Sequence, residues 1–112
     1  MTVPIGGGSL YSTVADLHQW TLLLHRGQII RPEWVRQMTT PVARDYGYGV
    51  QIRSGKQGKI YEHGGGIEGF NGFLQFRDGS EIVVVVLSNI NTRATDSIAQ
   101  RLGDLGEEEN RP

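Results

Sequence analysis

The 112-residue sequence contains no cysteine. Disulfides and thiolate zinc sites are therefore excluded, and cysteine usage is silent about redox compartment. Long apolar runs are missing as well. The longest, Ile82 to Leu87, has six residues, far short of the ~20 needed to span a bilayer. The start, Met1-Thr2-Val3-Pro4, lacks the positive region and apolar stretch of a targeting signal. No membrane partner is expected on that basis, and the cytoplasm is the default location. Charge of one sign is also scarce, with a formal net charge of −1. Residues 103–112 hold four acidic side chains and one basic, giving −3, so the first 102 residues, with ten basic and eight acidic, carry +2. Nine of the eleven basic residues are arginine and they form no run, which leaves no electrostatic footprint for nucleic acid. Only three histidines occur, His18, His25 and His63. No HExxH spacing or carboxylate cluster accompanies them, so no metal is expected, and no cofactor is implied.

What the chain does have is glycine. Sixteen of 112 residues is about 14%, roughly double the average of ~7%. The glycines are clustered rather than periodic, which excludes collagen and predicts several tight turns. At 12.4 kDa, 38% hydrophobic and 21% charged, the chain suits a single soluble domain, too short for a TIM barrel or a two-lobed enzyme.

The apolar pattern predicts helices first and strands later. Ser12 and Thr13 are N-cap candidates, and Asp16 three residues after Thr13 completes a capping box. Val14, Leu17, Trp20 and Leu24 mark one apolar face, interrupted by Thr21, and Gly27 reads as the stop. His18 and His25 are expected on the surface of this helix. A second helix over Glu33 to Met38 starts near Pro32. The period then changes to two. Strands are expected over Tyr46–Ile52, Lys59–His63, Gly72–Arg77 and Glu81–Ser88, with Gly64–Gly69 a connection and Asp78-Gly79 a hairpin signal. Phe73 and Phe76 fall on opposite faces. Ile82 to Leu87 does not alternate, as in a central strand buried on both faces. Asp96–Leu102 reads as a last helix. The expectation is an α+β domain over residues 1–102, a four-stranded antiparallel meander with helices packed on it. Residues 103–112 are expected to be an acidic, disordered tail.

His63-Gly64-Gly65-Gly66 is the most informative stretch. Gly64, Gly66 and Gly69 match G-x-G-x-x-G, but a dinucleotide fingerprint must open a helix and a strand follows here. The same residues spell the HGGG oxyanion motif of α/β-hydrolases. That fold also needs a G-x-S-x-G elbow, and Gly7-Gly8-Ser9-Leu10-Tyr11 lacks its final glycine. The plainest alternative is a bulged strand-to-strand turn that needs glycine for its backbone alone.

Taken in order, the segments resemble a known family. Gly6-Gly7-Gly8-Ser9-Leu10-Tyr11-Ser12-Thr13-Val14-Ala15-Asp16-Leu17 resembles the glycine-rich lead and helix of the β-lactamase-like serine hydrolases. These include class C β-lactamases, penicillin-binding DD-peptidases and related carboxylesterases and D-aminopeptidases. Tyr46-Gly47-Tyr48-Gly49-Val50 is similar to the strand before the family's third catalytic motif. His63-Gly64-Gly65 sits where the family has Lys-Thr-Gly or His-x-Gly. Gly69-Phe70 and Val84-Val85-Val86-Leu87-Ser88-Asn89 resemble its closing strands. The resemblance runs from about Gly6 to Asn91. It implies a partial β-lactamase-like fold with a pocket at His63, Gly64, Gly65 and Gly66. His63 would position the substrate, and the Gly66 N–H would be one oxyanion donor.

The departures are specific. The family's nucleophile and its lysine come from S-x-x-K, and Tyr-x-Asn follows. No serine here has a lysine three positions on, and no Tyr-x-Asn occurs. In the family both motifs lie upstream of everything matched, so the chain resembles the C-terminal part of such an enzyme. The resemblance implies a domain that is noncatalytic alone, with residual ligand binding at the glycines. Two alternatives stand beside it: one half of a split or larger hydrolase whose S-x-x-K part lies elsewhere, and a small independent hydrolase using Ser12 or Ser88 with His63. Without the family's upstream strands, Ile82–Leu87 would become an edge. A homodimer through that edge or the uncovered sheet face is then expected, unless Met1 to Leu10 folds back over it.

Overall fold

A computed structural model describes residues 7, 8 and 10–111. The readings placed on Gly6, on Ser9 and on the start of the chain fall outside them. The order is α1 (Val14–His25), α2 (Pro32–Met38), β1 (Gln51–Ser54), β2 (Lys59–Ile67), β3 (Phe70–Arg77), β4 (Ile82–Ser88) and α3 (Ala94–Glu109). The strands form one antiparallel sheet in the order β1-β2-β3-β4. The fold is α+β.

Helix α1 starts as its sequence dictates. Thr13 Oγ1 accepts the Asp16 amide at 3.2 Å, satisfying an N–H that the first turn leaves unpaired. Gly27, at φ +72°, ends it. The buried face differs from the apolar stripe. Thr21 and Leu24 are buried while Val14 and Trp20 stay half-exposed. Thr21 fits because its hydroxyl donates to Leu17 O at 2.7 Å. His25 is not a surface residue. Its ring stacks on Phe76 at 4.2 Å and Tyr61 at 5.4 Å.

Alternate residues of β3 face opposite ways. Phe76 meets α1, whereas Phe73 packs with Val84 and with Ala99 of α3. The sheet is thus sandwiched between α1 and α3, but the run Ile82–Leu87 is less buried than its pattern predicts: Val84 is buried, its neighbours are partly so, and Leu87 is 44% exposed. It is also an edge and not a central strand, because no strand lies beyond β4 among the described residues.

Two further expectations are corrected. The segment 46–50 is a turn rather than the start of β1. Gly49 has φ +76°, and Tyr48 donates its amide to Met38 O at 3.0 Å, tucking the chain against the end of α2. The acidic segment after Leu102 is helical through Glu109. Two of its charges are counter-ions: Arg77, 2% exposed, donates to Asp104 at 2.9 Å and Glu107 at 3.1 Å. Gly103 admits that guanidinium, since a Cβ there would lie 2.3 Å from Arg77 Nε. Among the described residues no helix is long and apolar enough to cross a membrane.

Candidate functional site

Strand β2 carries the site. Pairing with β1 runs from Ser54–Lys59 to Gln51–Glu62 and stops. The reach from His63 to Ile67 is paired with β3 on one side, and among the described residues no strand pairs with it on the other. The glycines therefore belong to a strand and not to a connection. Cross-strand pairing to Phe73, Gly72 and Asn71 supplies the hydrogen bonds that override glycine's poor strand propensity.

The edge borders an open depression of about 390 Å³ at the N-terminal end of α3, lined by Gln51, Gly64, Gly65, Gly66, Asn71, Phe73, Arg93 and Asp96. A side chain at Gly64 would meet Phe73 at 3.2 Å, and one at Gly66 would meet Asn71 at 3.0 Å. The glycine run thus leaves bare backbone facing this space. His63 does not line it. One position earlier on the strand, its side chain projects from the opposite face, where Nε2 lies 3.1 Å from Tyr46 Oη with the rings edge-on. The structure brings the three glycines to one depression and sets His63 at its other side.

Sequence reasoning missed the groups that hold this edge. Asn91 donates from Nδ2 to Ile67 O at 2.8 Å and accepts the Gly69 amide at 2.7 Å. It closes the end of the β2–β3 hairpin like a short strand, and Gly69, at φ +87°, supplies the turn. Asn71 accepts the Thr92 amide at 3.2 Å. A lone asparagine after a strand gives no sequence signal that it will bond to a hairpin on the other side of the sheet. Behind the site, Glu62 is buried and accepts from Arg53 at 2.7 Å, Gln75 at 2.7 Å and Gln100 at 3.1 Å. Three elements, β1, β3 and α3, thus supply donors to this one carboxylate.

Neither serine considered with His63 reaches it. The hydroxyl of Ser88 donates to Ile90 O at 3.2 Å and that of Ser12 to Thr13 O at 3.3 Å. Ser88 pairs with Asn71 while His63 pairs with Leu74, so the two lie two strands apart, about 10 Å, and out of register. A second depression of about 320 Å³, near Lys56, Asp104, Glu107 and Arg111, rims the Arg77 ion pairs and is remote from the glycine edge. Among the described residues no three His, Asp or Glu side chains converge as metal ligands.

A family model described as beta-lactamase matches residues 1–106. The chain belongs to the beta-lactamase family. No curated protein matches it. The beta-lactamase match ends inside α3, beyond Leu102, in agreement with Gly103 and its neighbours being part of the packed domain.

Proposed function

We propose that these 112 residues form the substrate-lining edge of a beta-lactamase-type serine hydrolase and carry no nucleophile of their own. By themselves they bind ligand weakly and do not turn it over. The observation that carries this is the half-paired strand His63–Ile67. A free strand edge offers alternating N–H and C=O groups to an extended amide or ester. Three consecutive glycines let that ligand approach the backbone. His63, held by Tyr46, supplies a side-chain hydrogen bond at the lower end of the edge, fitting a ligand carboxylate. The Gly66 N–H is the oxyanion donor in this reading. One such donor stabilises a transition state by roughly 2.7–4 kcal/mol, but only where a nucleophile creates the oxyanion. S-x-x-K is absent from the sequence.

A fluorophosphonate, which caps activated serines, tests the noncatalytic half. The intact mass of the folded chain is expected to stay unchanged, and an adduct on Ser12 or Ser88 would make this an independent hydrolase. Titration of the ¹⁵N-labelled chain with benzylpenicillin tests the binding half. Amide shifts are expected over residues 63–67 and reduced in His63→Ala; a spectrum without shifts would remove the binding role. The same open edge favours a second reading, in which an S-x-x-K segment from another polypeptide or a longer chain completes the site. Labelling that appears only when such a segment is supplied is its expected result.

A further inference from the structure

Tyr46 reaches His63 from beyond β1. Its backbone bridges Gln51, and Gln51 pairs on its other side with Glu62 of β2. Tyr46 therefore lies across β1 from β2. Strand β1 begins at Gln51, so it offers His63 no partner. The Tyr46 side chain crosses that end of β1 and brings Oη within 3.1 Å of His63 Nε2. Two strand spacings, about 10 Å, lie within the combined reach of the two side chains.

The segment that carries Tyr46 is held by its own backbone. The Tyr46 amide donates to Ala43 O at 3.0 Å, and its carbonyl accepts from the Val42 amide at 3.0 Å. On either side, Ile52 donates to Asp45 O at 2.7 Å and Gly47 donates to Val50 O at 2.8 Å. Arg44 takes the left-handed conformation, φ +53°, inside this tight turn. Gly47 presses on the end of α2, where any Cβ would overlap the Met38 carbonyl. The phenol is thus presented from a fixed backbone.

The direction of the bond follows from the two groups. Neither the Tyr46 hydroxyl nor the His63 ring makes another hydrogen bond among the described residues. A phenol is a stronger acid than a neutral imidazole N–H, and an imidazole nitrogen is a stronger base than a phenol oxygen. The better bond therefore has Oη–H donating to Nε2. We propose that Tyr46 is a positioning residue, which fixes neutral His63 as the Nδ1–H tautomer and makes it a hydrogen-bond donor toward the ligand. The tautomer of a histidine is set by the bond made at its other ring nitrogen. With the Nε2 lone pair taken by Tyr46, Nδ1–H is the group left to offer. Its complement is a carbonyl or carboxylate oxygen. A base facing the ligand would need a free lone pair there, so the pair suits binding and not proton abstraction. The encounter with ligand rests on the proposed binding role of the β2 edge; the tautomer does not.

The test is the long-range ¹H–¹⁵N spectrum of the imidazole rings in the ¹⁵N-labelled full chain, taken at about pH 8, above the usual range of histidine titration. His63 is expected to show a protonated Nδ1 and an unprotonated Nε2. His18 is exposed, and its ring makes no hydrogen bond among the described residues, so it is the internal reference for a free imidazole. Tyr46→Phe removes only the hydroxyl. It is expected to return His63 to the His18 pattern with the same circular dichroism. The variant is also expected to weaken benzylpenicillin binding, read from the amides of residues 63–67, by about two- to tenfold, the worth of one hydrogen bond. In a His63→Ala chain it should have no further effect. A protonated Nε2 in the unaltered chain overturns the proposal. So does a His63 pattern that equals that of His18 or ignores Tyr46→Phe, or a loss of binding that is the same with and without His63. If benzylpenicillin shifts no amide while the tautomer is as expected, the binding role of the edge is overturned and the tautomer is upheld.

Discussion

His25 shows what one side chain can decide. It lies in the last turn of α1, where a cation would favour the helix dipole. Instead the ring is stacked on Phe76 and Tyr61. Burial lowers its pKa from 6.5 to about 4, against the opposing pull of the Asp78 carboxylate. The folded state therefore holds a neutral imidazole. Between pH 6.5 and about 4 the unfolded chain takes up a proton that the folded chain refuses, so stability is full above this window and falls through it. Allowing for partial exposure of the ring, the loss is about 2 kcal/mol. Urea midpoints at pH 7 and pH 4.5 should show it. His25→Phe, which keeps the stack and removes the titration, should flatten that part of the profile.

At the scale of elements, α3 is joined to the sheet by a polar chain as well as by Phe73, Val84 and Ala99. Glu62 links Arg53, Gln75 and Gln100; Gln75 accepts from Arg77 at 2.7 Å; Arg77 reaches Asp104 and Glu107. Gln75 is wholly buried. Replacing Arg77 by alanine strands the buried Glu107 carboxylate in low dielectric. The expected cost is about 3–5 kcal/mol, measurable as a lower urea midpoint with an unchanged slope. A loss below about 1 kcal/mol, the range of exposed pairs, would mean that water replaces the guanidinium freely. This network was not legible beforehand. Nothing in the sequence marks Arg53, Glu62, Arg77 and Glu107 as partners until the register of β1, β2 and β3 stacks them under one helix.

For the molecule as a whole, that network ties the later turns of α3 to the sheet. A chain ending at Leu102 would retain every predicted element, yet lose Gly103, Asp104 and Glu107. Arg77 would then be buried without either of its carboxylates. Such a chain is expected to melt without a cooperative transition by circular dichroism, while the chain through Arg111 melts cooperatively. A native-like melt for the shorter chain would show that the end of α3 is dispensable. The outer side of β2 at His63–Ile67 is polar backbone with little side chain, whereas Ile82–Ser88 is an apolar strand.

Local chemistry alone determined the helix caps, the change of period from helix to strand, the four-stranded meander and the α+β class. Each depends on residues a few positions apart: Thr13 with Asp16, Gly27 after Leu24, the alternation around Ile60 and Phe73. The glycine stretch and its neighbours also pointed to the beta-lactamase family before any contact was visible. Tertiary structure decided the rest. It placed the glycines within a strand because β3 pairs with them, turned Tyr46 back onto His63, and gave Asn91 a hairpin to close. It drew Asp104 and Glu107 into a helix because a buried guanidinium needs counter-charge. Those outcomes depend on groups from five to about thirty residues apart, whose meeting is set by strand register and by which face each helix covers.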